Sequence, residues 1–327
     1  MLDFDYVRPA SVDAALALAG GRSRYIGGGT NLVDLMKSGV EQPELLIDIN
    51  HLGLTAIQEL PDGGLRIGAG VRNSDVANHR LVRERYPLLA QALVAGASPQ
   101  LRNLATVGGN LMQRTRCDYF VDTRFPHCNK RKPGSGCGAL EGDHHLHAIL
   151  GGSKHCIAVN PSDMSVALLA LGASVNVRSR GAERPVPLSA FHRLPGEHPE
   201  RDTNLEPGDL IVSVDLPRPL FAHNYHYLKV RERASYAFAL VSVAVGLERD
   251  GDRIRSGAIA LGGVAHKPWL AADASAMLAD KAASNIDFAA IATAAVNGAR
   301  PLPENAYKVP MARNAVQRAL RNAMEAA

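Results

Sequence analysis

Apolar residues in this chain come in short runs, cut by glycine, proline and polar turns, and their spacing alternates between helical and strand-like. Ser11 is placed to cap a helix over 12–19, which Gly20-Gly21 stops. A short strand follows over 24–26, then the turn Gly27-Gly28-Gly29-Thr30-Asn31, a helix over 32–37 and a buried strand over 45–49. Residues 65–69 read as a strand, Ser74 as a helix cap and 88–97 as a buried helix. Strand character returns over 157–159. Asn160-Pro161-Ser162-Asp163 then makes a turn and cap for a helix over 165–171. Val175, Val177 and the run 210–214 add strands, and Pro217 and Pro219 mark a boundary. Beyond it, 225–230 and 241–247 alternate at period two, 254–261 is a third strand and the alanine-rich remainder is helical. The pattern predicts an α+β chain in three parts: a small α/β unit over 1–55, a mixed sheet over 56–217, and a small antiparallel sheet with helices over 218–327.

One stretch fits none of these periods. From Gln113 to Cys156 aliphatic residues are sparse, and Arg, His, Cys, Gly and Pro dominate. Such a segment cannot bury enough apolar surface to order itself. It reads as an insertion ordered by a metal site. All four cysteines of the 327-residue chain, Cys117, Cys128, Cys137 and Cys156, fall inside it. Gaps of ten, eight and eighteen residues exclude paired zinc knuckles and the usual ferredoxin runs. Four thiolates still suit Zn²⁺ or a [4Fe–4S] cluster, with the fold setting the geometry. Among possible competing ligands, His127, His144, His145, His147 and His155 each read as loop or surface histidines.

Two glycine turns are the other candidate chemistry. A strand, a glycine turn and a helix start direct backbone N–H groups at an anion. Neither G-x-G-x-x-G nor G-x-x-x-x-G-K-[ST] occurs, so Rossmann and P-loop readings lack support. The pair of loops, Gly27 to Asn31 and Thr106-Val-Gly-Gly-Asn110, is suited to the two ends of a dinucleotide.

Composition alters this picture little. Apolar residues at 46% and charged residues at 21% are ordinary for a globular chain, and the net charge is +4. No apolar run approaches the roughly 18 residues of a membrane helix. The acidic start, Met1-Leu-Asp-Phe-Asp-Tyr, carries no export signal of its own. The chain is therefore expected to be made in the cytoplasm, where disulfides are disfavoured. Between Arg102 and Lys132 seven Lys or Arg face two Asp. With few aromatics to stack bases, charge compensation for an anionic cofactor explains this better than nucleic acid does.

The segments 26–32, 97–111 and 160–163 resemble, in the same order, FAD-binding subunits of the xanthine dehydrogenase / carbon monoxide dehydrogenase family. The cysteine insertion, together with 229–240 and 261–269, is similar to FAD subunits of bacterial periplasmic aldehyde oxidoreductases, which carry an extra [4Fe–4S] cluster. The resemblance implies a two-part, PCMH-type FAD-binding domain with its iron–sulfur insertion at about 113–156, followed by a CO dehydrogenase flavoprotein-like C-terminal domain. It implies that Ile26, Gly27, Gly28, Gly29, Thr30, Asn31 and Leu32 bind the FAD pyrophosphate. Thr106, Gly109 and Asn110 would support the flavin, Asp163 would hydrogen-bond it and Lys229 would reach the isoalloxazine. Cys117, Cys128, Cys137 and Cys156 would ligate the cluster. Asn160 is assigned no role.

No nucleophile–base constellation is visible, so the chain is expected to hold no catalytic residue of its own. By the same resemblance, an aldehyde would be oxidised at molybdenum in a large partner subunit. Electrons would reach FAD through [2Fe–2S] clusters in a small partner and leave to a small-molecule acceptor. A heterotrimer is implied, with periplasmic residence by co-export with a partner and cytoplasmic residence otherwise. Two alternatives stand beside it: a stand-alone flavoenzyme of the same fold, and a zinc-stabilised nucleic-acid-binding protein.

Overall fold

A computed structural model describes residues 1–326. Its described strands form three sheets. The first comprises β1 (Asp5–Val7), β2 (Ser23–Ile26) and β3 (Leu45–Asp48), ordered β1-β3-β2 and parallel throughout. Parallel neighbours need crossovers, and the helices Val12–Leu18 and Leu32–Lys37 supply them. Ser11 does cap the first helix, accepting from the Ala14 N–H at 3.1 Å.

The second sheet runs β4 (Ile57–Glu59), β5 (Leu65–Gly68), β8 (Leu210–Leu216), β6 (Ser174–Ser179), β7 (Ala182–Pro187). All of its pairs are antiparallel, where the sequence suggested a mixed sheet. The third is built on β9 (Asn224–Val230), β10 (Val241–Asp250) and β11 (Arg253–Gly262), edged by β12 (Trp269–Leu270) and β13 (Lys281–Ala282), and is antiparallel as expected. The helix Lys308–Glu325 covers it with Ala312, Ala315, Val316, Ala319, Leu320 and Ala323, a stripe at helical spacing.

Between the second and third sheets lies the helix Asp163–Ala170, buried along its whole length. Ser162 caps it, accepting from the Ser165 N–H at 3.0 Å. Being apolar all round, it can sit only in a shared core, and its fixed first turn aims Asp163 at the junction of the two units.

Three expected elements differ. Residues 157–159 form no strand, although Ile157 and Ala158 are buried. Their backbone makes single bonds, such as Ala148 N–H to the Ile157 carbonyl at 2.8 Å, and no ladder. The helix expected over 88–97 is Pro87–Ala95; Gly96 ends it, and Ala97 turns left-handed at φ 49° before Ser98-Pro99. Ser74 sits inside Asn73–Asn78 and does not cap it, because Arg72 is the flanking residue.

The insertion is ordered with little regular structure: the helix Asp118–Val121, a 3₁₀ turn over Gly138–Leu140, and isolated bridges pairing Cys128 with Cys137 and Ser153 with Cys156. Its small apolar cluster, Phe120 and Cys128, packs on Leu35 of the first unit.

Candidate functional site

The two glycine loops meet. A Cβ on Gly28 would collide with the Leu104 carbonyl, and one on Gly27 would stand 2.8 Å from Thr106 Oγ1. Gly29 takes φ +71°, which a side chain resists. Thr106 is buried and accepts from the Gly109 N–H at 3.1 Å, holding the second turn closed. The first-loop glycines therefore serve loop-on-loop packing. The cavity beyond is lined by the residues that follow them.

That cavity measures about 720 Å³, within the usual range for small-molecule sites. Of the residues singled out in the sequence, Thr30, Asn31, Gly109, Asn110, Asp163 and Lys229 line it. Ile26, Gly27, Gly28, Gly29, Leu32 and Thr106 adjoin these lining residues in the same two loops. Asn160, given no role, also lines it. Asp163 is doubly engaged: Tyr227 OH donates to Oδ1 at 2.6 Å and Lys229 Nζ to Oδ2 at 2.7 Å. Lys229 also donates to the Ala95 carbonyl at 3.1 Å. Burial, with Asp163 beside it, pushes the Tyr227 phenol well above its ordinary value, so Tyr227 stays a donor.

Two buried donors in the wall, Asn31 Nδ2 and Arg116 Nε, lack a partner among the described residues. Buried polar atoms are normally satisfied, so a ligand rich in acceptors suits this wall. Arg116, whose guanidinium lies 5.3 Å from the Phe238 ring centre, was read in the sequence only as part of a basic run. The visible signal was its place in Arg114-Thr-Arg-Cys117, between the second glycine loop and the first cysteine.

The second cavity is a small pocket of about 10 Å³, room for roughly one water. All four cysteines line it, with Tyr119, Phe120, His127, Lys130 and His147 among their neighbours. No three of the chain's His, Cys, Asp and Glu form a ready ligand set for a single ion among the described residues. Backbone N–H groups nonetheless converge on the sulfurs, including Ala158 N–H on Cys156 Sγ at 3.4 Å. Burial pushes the Cys117 thiol up to about 12 and the Cys156 thiol up to about 11, and raises Cys137 as well. Such sulfurs ionise only when a metal compensates them. All five lie in loops: His144 and His147 are buried there, His127 is exposed, and His145 and His155 are partly so.

The basic run is mostly neutralised within the chain. Arg114 pairs with Asp202 and Glu41, each at 2.7 Å, and Lys130 pairs with the same Asp202. Arg124 pairs with Asp122, and Arg131 donates to the carbonyls of Tyr119 and Phe125. Burial pushes the Asp202 carboxyl up, but Lys130 and Arg114 outweigh it and hold it down to about 2. A free basic face for nucleic acid is not what these side chains make.

Fold and cavity together define a flavin-binding protein of the molybdopterin dehydrogenase type: residues 2–219 match the FAD binding domain in molybdopterin dehydrogenase, and 226–323 match the CO dehydrogenase flavoprotein C-terminal domain. The chain is 50% identical, over 99% of both lengths, to the aldehyde oxidoreductase FAD-binding subunit PaoB of Escherichia coli K12. It is 26% identical to the carbon monoxide dehydrogenase medium chain of Afipia carboxidovorans, over 97% of this chain and 96% of that one. Among solved structures, the carbon monoxide dehydrogenase of Hydrogenophaga pseudoflava superposes with a TM-score of 0.77 at 27% identity, covering 99% of this chain and 98% of that one. The chain belongs to the FAD-binding medium subunits of the aldehyde oxidoreductase and carbon monoxide dehydrogenase family. Among the described residues no helix is long and apolar enough to cross a membrane.

Proposed function

We propose that this chain is the FAD- and [4Fe–4S]-carrying electron-transfer subunit of a molybdenum-dependent aldehyde oxidoreductase. The observation that carries the flavin part is the cavity walled by both glycine loops and by the Asp163–Lys229 pair. Thr30, Asn31, Gly109 and Asn110 would hold the cofactor's phosphates and ribityl hydroxyls, with Arg116 as an added cation. Gly27, Gly28, Gly29, Ile26, Leu32 and Thr106 would shape the loops from behind. Lys229, kept in place by Asp163, would face the flavin ring. When bound, FAD supplies the exchange between single-electron delivery and two-electron release. A large molybdenum subunit would oxidise the aldehyde, and a small [2Fe–2S] subunit would deliver electrons to this chain for an external acceptor.

The convergence of all four thiols, with backbone donors aimed at them, supports a cluster over four unrelated cysteines. In a [4Fe–4S] cluster the ligands bind separate irons at the corners of a cube, so they stand wider apart than ligands of one ion. The small pocket would widen by rotation of the Cys117, Cys128, Cys137 and Cys156 side chains. Residues 1–55, 56–217 and 218–327 serve as the three units, and export would depend on a partner's signal.

The test is anaerobic purification of the chain with flavin, iron and zinc quantified. One FAD and about four iron per chain are expected. Zinc without flavin overturns the reading, and flavin without iron removes the cluster from it.

A further inference from the structure

His147 belongs to both cavities. It lines the flavin cavity and the thiol pocket, as Cys117 does. Its Nε2 lies 3.1 Å from Cys117 Sγ. Its other ring nitrogen, Nδ1, is buried and meets no partner among the described residues. A proton on Nδ1 would be a buried donor with nothing to receive it, while Nε2 faced sulfur as a bare acceptor. A proton on Nε2 avoids this: it points at the sulfur, and Nδ1 keeps only a lone pair. The hydrogen bond made by one nitrogen fixes the tautomer of the ring. Cys117 Sγ is then the acceptor, as a metal-bound thiolate is.

The backbone that carries the imidazole is held from several sides. The His147 carbonyl accepts from Lys308 Nζ at 3.1 Å and from Asn305 Nδ2 at 3.4 Å. Its own N–H donates to the His144 carbonyl at 3.0 Å. Cys117, Cys137 and Cys156 all receive backbone donors, and Cys117 differs from the other two in having a side-chain donor as well.

We propose that His147 donates its Nε2–H to the Cys117 sulfur and so raises the reduction potential of the iron–sulfur group held by the four thiols. This rests on the [4Fe–4S] reading. The reduced cluster carries one more negative charge, part of it on the ligand sulfurs. A donor to sulfur therefore stabilises the reduced form more than the oxidised one. Because Cys117 is also a wall of the flavin cavity, His147 acts on the cluster ligand that borders the flavin site.

The experiment is a redox titration of the full chain, loaded with iron and flavin and followed by electron paramagnetic resonance of the reduced cluster. His147→Leu is expected to lower the midpoint potential at parental iron content. His147→Gln, which keeps an N–H donor, shifts it less, and His145→Leu leaves it in place. Parental potential in an iron-replete His147→Leu chain overturns the proposal. Where His147→Leu holds no iron, the parent chain with ¹⁵N-labelled histidine decides: a resolved histidine nitrogen coupling to the reduced cluster supports the bond, and none overturns it. A parent chain that binds no iron overturns the cluster reading and this proposal together, and metal analysis alone identifies that case.

Discussion

The two cavities are built in opposite ways. The flavin cavity stands open at about 720 Å³, walled by backbone turns and by side chains already paired with one another. The thiol pocket measures only about 10 Å³, and burial raises the thiols of Cys117, Cys137 and Cys156. The first is a shape preorganised for its ligand. The second, on the proposed cluster reading, would be a donor set whose shape depends on metal binding, since thiol deprotonation and metal capture are linked. What keeps the second in place meanwhile is the charge of Lys130 and Arg114 on Asp202 and the hydrogen bonds of Lys308 Nζ to three carbonyls at 2.5–3.1 Å. One site is specified by packing, the other by electrostatics and chemistry, and perturbations should separate them.

Cys128→Ser should have the largest effect on one side alone, abolishing iron while flavin stays near one per chain by absorbance after gel filtration. Joint loss would mean that the two sites are one cooperative unit. Gly28→Val should do the reverse. Its side chain collides with the Leu104 carbonyl and drives the two loops apart. Flavin retention should fall at least tenfold in equilibrium dialysis with iron retained; full flavin binding would remove the loop contact from the account.

Asp202→Asn should cost about 3 kcal/mol, because it leaves Lys130 buried without an anion while Arg114 keeps only Glu41. Chemical denaturation should show this as a lower midpoint, and limited proteolysis should cut first between residues 113 and 156. A change near zero would mean that the pair is dispensable.

The smallest effect is in acid. Burial lowers His192 and His266 to about 4 from an ordinary 6.5. The unfolded chain takes up these protons first, so stability is full above pH 6.5 and declines as pH falls toward 4. Asp202, held down to about 2, adds a further loss only below about pH 4. Melting temperatures flat from pH 7 to 4.5 would contradict the burial of the two histidines.

Local signals were legible in the sequence. Ser11 and Ser162 cap the helices they precede, and the strand pairs β9–β10 and β10–β11 follow the period-two runs. The confinement of four cysteines to one polar stretch foretold their meeting in one pocket. Features that depend on distant partners were not legible. Residues 157–159 look like a strand because apolar runs do, yet their neighbours offer single hydrogen bonds only. The glycines of the first loop looked like a ligand cradle, while the residue that requires Gly28 lies 76 positions away at Leu104. His147 looked like a loop or surface histidine because nothing nearby in sequence announces Lys308, Asn305 or the Cys117 sulfur.

Lys308 has one more consequence, which concerns time. It follows His147 by 161 residues, so during synthesis the ribosome must finish the third sheet before the ammonium that ties down residues 146 and 147 exists. Until then the thiol segment is held by its first-unit contacts and by the pairs that Lys130 and Arg114 make with Asp202. The last ties on this segment are thus made only near the end of the chain, by Lys308 together with Asn305.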